Sequence, residues 1–133
     1  GVRSLVPDAL VTRTSLVASA DPLDHQAQWL VRTLSAGDAV TLFHDEYRTP
    51  VRADDLAVSL WGLVAEGVTG VVHLPGPERL SREQIGRRCA QDLGLPSDLL
   101  GTASAATHPG PRPRDLSLAS VRCANSVGGP VGW

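Results

Sequence analysis

Lysine is absent from this 133-residue sequence: all 12 of its Lys+Arg positions are arginine. Methionine is absent too, and tyrosine and phenylalanine occur once each. The missing lysine excludes a Schiff base to pyridoxal phosphate, a Walker-type P-loop and a Tyr-x-x-x-Lys hydride-transfer pair within this chain. The single tyrosine, Tyr47, has Val51 where that pair requires its lysine. Arginine is no substitute, because a guanidinium with a pKa above about 12 stays protonated and clamps anions instead. No run of about 18 apolar residues occurs, and the opening "GVRSLVPDAL" lacks the layout of a signal peptide. A soluble, cytoplasmic chain without membrane contact is therefore expected. The two cysteines, Cys89 and Cys123, fit a reducing compartment. Cys89 falls on the apolar stripe of a predicted helix and is expected as a buried, reduced thiol.

Other absences narrow the chemistry further. The net charge of −2, with no block of like charge, argues against nucleic acid or a membrane surface as partner. No G-x-G-x-x-G follows a strand; Gly67 and Gly70 precede one, and read as a helix stop and a turn. The histidines, His25, His44, His73 and His108, have no metal-ligand spacing, so no metal site is expected. His73, inside a strand, is expected as a hydrogen-bonded core group. No G-x-S-x-G elbow is present either.

What is present has an α/β rhythm. "ALVTRTSLV" (9–17) is rich in β-branched residues and reads as a largely buried strand. A helix follows, capped by Asp21 or Asp24, with Leu30, Val31 and Leu34 at helical spacing and Gly37 as its stop. "AVTLF" (39–43) is a second strand. Leu56, Ala57, Leu60, Leu63 and Val64 then mark an amphipathic helix closed at Gly67, with Asp54 and Asp55 as its capping and first-turn acids. "GVVHLPG" (70–76) is a third strand. In "RLSREQIGRRCAQDLGLP", Ser81 and Gln84 form a capping box, Leu80 and Ile85 a hydrophobic staple, and Gly94 with Pro96 the stop. The predicted inward stripe is Ile85, Cys89 and Leu93, leaving Arg82, Glu83, Arg87 and Arg88 to solvent. From Pro96 onward, Pro, Gly, Ser and Ala dominate and a loop with a trailing segment is expected. The strands are expected to be parallel, covered by helices, and buried on both faces.

Four acids, two arginines and a histidine crowd residues 41–57, in "TLFHDEYRTPVRADDLA". With Asp54 and Asp55 assigned to a helix start, this crowd is not expected to be a catalytic centre, and the part left for function is "YRTP". Arginines also stand at Arg13 in "RTS" and at Arg112 and Arg114 in "PRPRDLSL". In an open α/β sheet, ligands bind beyond the carboxyl ends of the strands. Guanidinium forks at that place suit a diphosphate or a carboxylate.

Taken in order, "ALVTRTSLV", "YRTPVRADDLA", "GVVHLPGPERLSREQIGRRCAQDLGL" and "RPRDLSL" resemble the C-terminal half of the extended short-chain dehydrogenases that modify sugar nucleotides, the dTDP-4-dehydrorhamnose reductase family. The resemblance covers roughly residues 5–122. It implies a partial Rossmann-like parallel sheet with flanking helices, forming the substrate-binding half of such an enzyme. The family's glycine-rich NAD(P) loop and its Tyr-x-x-x-Lys group would lie in a half preceding residue 1. The resemblance thus implies NAD(P) for the complete enzyme, no cofactor held by this chain alone, and no catalytic residue within it. Arg13, Thr14, Ser15, Arg48, Thr49 and Arg112 are the implied contacts to a nucleotide-sugar ligand. One departure stands out: these reductases commonly follow Arg-Thr-Ser with Trp-Val-Tyr-Gly, where this chain has Leu16, Val17, Ala18 and Ser19.

The leading expectation is the nucleotide-sugar-binding portion of an NAD(P)-dependent reductase or epimerase, inactive alone, with residues 1–122 as its α/β domain and 123–133 as a tail. A second is a non-catalytic, reductase-like regulatory or interaction module. A third is a bare fragment that self-associates, as a homo-oligomer, through the unpaired strand "ALVTRTSLV".

Overall fold

The computed structural model describes residues 1–19 and 21–119; Cys123 and the expected tail, 123–133, lie outside the described residues. In chain order the first elements are α1 (Val2–Leu5), β1 (Leu10–Thr14), β2 (Val17–Ala18), α2 (His25–Ser35), β3 (Val40–Phe43), β4 (Tyr47–Arg48) and β5 (Val51–Arg52). Then come α3 (Ala53–Ala65), β6 (Gly70–Leu74), β7 (Leu80–Ser81), α4 (Arg82–Asp92), β8 (Leu100–Ala103) and a 3-10 turn, Ala105–Thr107. The pairs β1–β6, β2–β5 and β3–β8 are parallel, and β4–β7 is antiparallel. The expected mixed α/β architecture with parallel strands is what forms.

The helices start where local chemistry tells them to, with one exception. Asp24, one of the two expected caps, accepts hydrogen bonds from the N–H groups of Gln26 and Ala27 at the start of α2. Ser81 and Gln84 close a capping box on α4, satisfying amide groups that the helix itself leaves free. The exception is α3: its N-cap is Arg52, and Asp54 and Asp55 both lie in the first turn. There they face the positive end of the helix dipole rather than capping it, and Asp55 lies 3.8 Å from Arg52 Nε.

The core sits between α2, α4 and the β3–β8 pair, where Leu30, Leu34, Val40, Leu42, Ala90 and Leu100 cluster. Leu100 belongs to β8, a strand formed in the stretch expected as loop. "LGTA" has little intrinsic β preference, and pairing with β3 overrides it. On α4 the fully buried residues are Ile85 and Ala90, while Cys89 and Leu93 are only half-buried. The helix packs on both α2 and β3, which rotates its buried face away from the expected stripe. Gly86 lies on that face, and an added Cβ would stand 2.7 Å from Leu42 Cδ1.

The β1–β6 half is less covered than the alternation suggested. β1 is half-buried from Leu10 to Thr12 and exposed at Arg13 and Thr14, because it has one hydrogen-bonded neighbour among the described residues. His73 opposite Arg13 is half-buried rather than a core group. α3 contributes no fully buried residue, and its Val58, Trp61 and Val64 are 66%, 74% and 58% exposed. No helix among the described residues is long and apolar enough to cross a membrane.

The Thr49–Pro50 turn between β4 and β5 joins these parts. The Thr49 N–H donates to Ser15 Oγ at the end of β1 (3.1 Å). Its carbonyl accepts from the Gly76 N–H (3.0 Å), and the Val51 N–H donates to the Leu16 carbonyl (2.9 Å). Its hydroxyl accepts from the Leu118 N–H (3.2 Å). Gly76 is required here, since a Cβ would fall 1.5 Å from the Pro50 carbonyl oxygen. Two carboxylates fasten the later segments. Asp45 accepts from Ser104 Oγ (2.6 Å) and the Ala105 N–H (2.7 Å), while Asp115 binds Arg79 Nη2 (2.7 Å), whose guanidinium covers the Tyr47 ring.

Replacing Gly76 with Ala is expected to cost about 3 kcal/mol, as a methyl group driven into fixed backbone must displace it. Gly101→Ala, whose Cβ meets only ordinary contact at 3.7 Å, should be close to neutral; equal chemical-denaturation midpoints for the two variants would contradict this. Hydrogen bonds from Ser104 and Ala105 hold the Asp45 carboxyl below its usual pKa, and those from Ser117, with Arg79, do the same for Asp115. Depressed carboxylate pKa values add stability that is complete above the unfolded value near about 3.9 and is lost as pH falls through the folded values. The melting temperature should therefore fall as pH drops below about 4, and Asp45→Asn should show a weaker fall over the same range; identical profiles would be the contrary result.

Candidate functional site

Glu46 stands at the centre of the charged turn, 1% exposed, and arginines from three separate segments converge on it. Arg112 Nε donates to its Oε1 at 2.5 Å. Arg82 Nε, at the start of α4, and Arg48 Nη2, in β4, lie 3.8 and 3.9 Å from its Oε2. Chain geometry explains the convergence. The Tyr47 N–H donates to the Arg114 carbonyl and the Leu116 N–H to the Tyr47 carbonyl, so the "PRPRDLSL" segment runs beside the turn. The Arg82 N–H donates to the Glu46 carbonyl (2.8 Å), which fixes the first turn of α4 against the same residue.

One buried carboxylate among three guanidiniums leaves an excess of positive charge. Burial, and then repulsion from Arg48, lowers the pKa of Arg82, with Glu46 opposing. The hydrogen bond to Glu46 raises that of Arg112. The contacts at 3.8 and 3.9 Å are too long for hydrogen bonds, and both arginines are held elsewhere. Arg82 Nη1 donates to Gln26 Oε1 (2.5 Å) and Arg48 Nη1 to the Tyr47 carbonyl (2.7 Å).

Glu46, Arg82 and Arg112 line a cavity of about 160 Å³ between α2 and α4, floored by β3 and walled by Trp29, Phe43 and Ile85. Arg112 also lies over the Phe43 ring, 5.0 Å from its centroid. Apolar walls with a few convergent polar groups are the usual make-up of a small-molecule site. Leu16 and Ala18 line it as well, so the departure from Trp-Val-Tyr-Gly falls on the cavity itself. Cys89 is half-buried at its edge, unpaired, with burial raising its thiol pKa. No group of three or more acidic, histidine or cysteine ligands suited to a metal occurs among the described residues.

The structure sorts the expected ligand contacts into two sets. Arg48 and Arg112 join Glu46, and of the two Arg112 lines the cavity. Ser15 and Thr49 are hydrogen-bonded to each other in the turn that ties the strand ends together, and Thr14 Oγ1 donates to the Leu74 carbonyl (3.2 Å). Arg13 is exposed on β1, opposite His73. Sequence reasoning misses Glu46 and Arg82. The helical pattern puts Arg82 in solvent, yet its side chain is 23% exposed. A first-turn helix residue gives no periodic sign of facing a cavity. Glu46 has one sign, its place between Asp45 and a strand-end arginine, but a charged turn hides a buried acid.

The comparisons with known proteins agree with this architecture. The family model described as RmlD substrate binding domain matches residues 1–131. The chain is 34% identical over 123 residues to the Probable low-salt glycan biosynthesis reductase Agl14 of Haloferax volcanii, covering 88% of this chain and 41% of that protein. The structure of a hypothetical dTDP-4-dehydrorhamnose reductase from Sulfolobus tokodaii matches with a TM-score of 0.68 at 28% identity, over 85% of this chain and 40% of that one. The dTDP-4-dehydrorhamnose reductase of Bacillus anthracis, solved in complex with NADP, has a TM-score of 0.73 at 14% identity, over 84% and 40% of the two chains, a likeness of fold alone. This chain thus spans about 40% of the length of such relatives. With a family model matched along nearly its whole length, the chain belongs to the RmlD substrate binding domain family.

Proposed function

We propose that this chain is the nucleotide-sugar-binding part of an NAD(P)-dependent sugar reductase, whose cofactor loop and Tyr-x-x-x-Lys pair lie outside these 133 residues. The observation that carries this reading is the set of Arg48, Arg82 and Arg112 around one buried glutamate, two of them lining an apolar cavity. A set of guanidiniums suits a diphosphate, and Trp29 adds an aromatic wall to the cavity. Ser15 and Thr49 hold the frame, and Arg13 and Thr14 lie at the strand end where the reacting carbon would approach.

In the complete enzyme, hydride would pass between the nicotinamide and a keto-sugar. This part would contribute binding energy and orientation, which place the reacting carbon. Two further observations support a missing half. The two-stranded parallel β1–β6 pair is half-exposed, although parallel sheets are covered on both faces. α3 presents Val58, Trp61 and Val64 outward. The NADP held by the Bacillus anthracis reductase supports the cofactor class.

Calorimetric titration of the chain with dTDP-glucose should show binding. Arg112→Ala should weaken it about tenfold, the worth of one charge-assisted hydrogen bond, while Arg32→Ala, exposed at the end of α2, should leave it unchanged. With NADPH added, the chain alone should reduce no sugar. Absence of binding, or equal losses in both variants, would contradict the assignment.

A further inference from the structure

Glu46 Oε2 is buried and receives no hydrogen bond from any described protein donor. Such an atom is costly, because a carboxylate oxygen removed from water without a partner forfeits its solvation. The neighbouring arginines offset its charge as ion pairs but donate no hydrogen bond to it. Arg112 is engaged with Oε1, Arg82 with Gln26 and Arg48 with the Tyr47 carbonyl. Their remaining approaches to Oε2 stay at 3.8 and 3.9 Å. The bonds to Gln26 and to the Tyr47 carbonyl use the Nη1 atoms of Arg82 and Arg48, so both guanidiniums meet Oε2 only as ion pairs, and Glu46 is among the residues that line the cavity between α2 and α4.

We infer that Glu46 Oε2 accepts a hydrogen bond from an uncharged O–H or N–H donor on the ligand that occupies this cavity. The inference rests on the nucleotide-sugar reading above and adds to it a specificity residue. An uncharged donor is required, since three guanidiniums around Glu46 repel a cation. The same guanidiniums attract the diphosphate, so Glu46 distinguishes an anion that carries such a donor from one that does not. A nucleotide sugar carries such donors of three kinds: the hydroxyls of the hexose, the 3′-hydroxyl of the deoxyribose and the imide N–H of a pyrimidine base. All have the same chemistry at Oε2.

Removing donors from the ligand one at a time tests this on the wild-type chain. The probes are dTDP-glucose, its single-deoxy hexose analogues, its 3′-deoxy nucleoside analogue and its N3-methylthymine analogue, each titrated calorimetrically. One deletion should weaken binding at least about tenfold, as expected for a hydrogen bond to a charged acceptor. A deoxy-sugar loss identifies the hydroxyl as the source and an N3-methyl loss identifies the base. In Glu46→Gln, with its fold checked by thermal melting, that loss should shrink several-fold, the coupling a double-mutant cycle isolates. Inorganic pyrophosphate, which has neither a sugar hydroxyl nor an imide N–H, should bind Glu46→Gln at least as tightly as it binds the wild type. A donor loss of equal size in wild type and variant overturns the inference, as does the absence of loss for every deletion, which is decided on the wild type even where the variant does not fold. Failure of the wild type to bind dTDP-glucose at all overturns the nucleotide-sugar reading and this inference together.

Discussion

The Thr49–Pro50 turn is held at every polar backbone and side-chain group that Thr49 offers. Ser15, Gly76 and Leu118 bond to Thr49, and Val51 bonds back to Leu16. Each contact comes from a different stretch of chain, so this one turn sets where the end of β1, the end of β6 and the C-terminal segment lie relative to one another. It works only because Gly76 has no side chain to meet the Pro50 carbonyl. The turn also fixes the direction of β4, and so determines where Glu46 and Arg48 sit.

From that fixed point the charge arrangement follows. Glu46 enters the interior with its carbonyl bonded to the Arg82 N–H, which binds the start of α4 to the turn. The Tyr47 backbone draws in the 112–118 segment, and Arg79 clamps the same segment through Asp115 while stacking on Tyr47. Three arginines from distant positions thus reach one carboxylate without a shared helix or strand. A buried ion pair is weak evidence for stability, because desolvation offsets much of its attraction. Around Glu46 three guanidiniums meet one carboxylate, while the cavity lining itself holds two arginines, Arg82 and Arg112, and two acids, Asp24 and Glu46.

Signals that depend on neighbouring residues were legible in the sequence. The Ser81–Gln84 capping box, the Asp24 cap and the strand at 70–74 appear where local rules put them. The helix over 53–65 was legible too, but its cap was not. Asp54 looked like an N-cap because acids favour that position, yet the backbone enters the helix two residues earlier from β5. β8 was hidden because its four residues become a strand only by pairing with β3, far upstream in the chain. The site was half legible. Arg48 and Arg112 were singled out from their places at a strand end and in a proline-rich segment, whereas Arg82 and Glu46 come together with them through packing between elements that no sequence window contains together. The charged crowd at 41–57 resolves into parts: Asp45 anchors the turn after β8, Asp54 and Asp55 serve a helix start, and Glu46 organises the arginines.

If Arg82 and Arg112 beside Glu46 form an anion-binding face of the cavity, the arginine side-chain NMR signals report it directly. On titration with thymidine diphosphate, the Nε–Hε resonances of Arg82 and Arg112 are predicted to shift together along one saturation curve, with those of Arg13 and Arg32 unmoved. Shifts confined to Arg13, or spread evenly over all the arginines, would contradict the account.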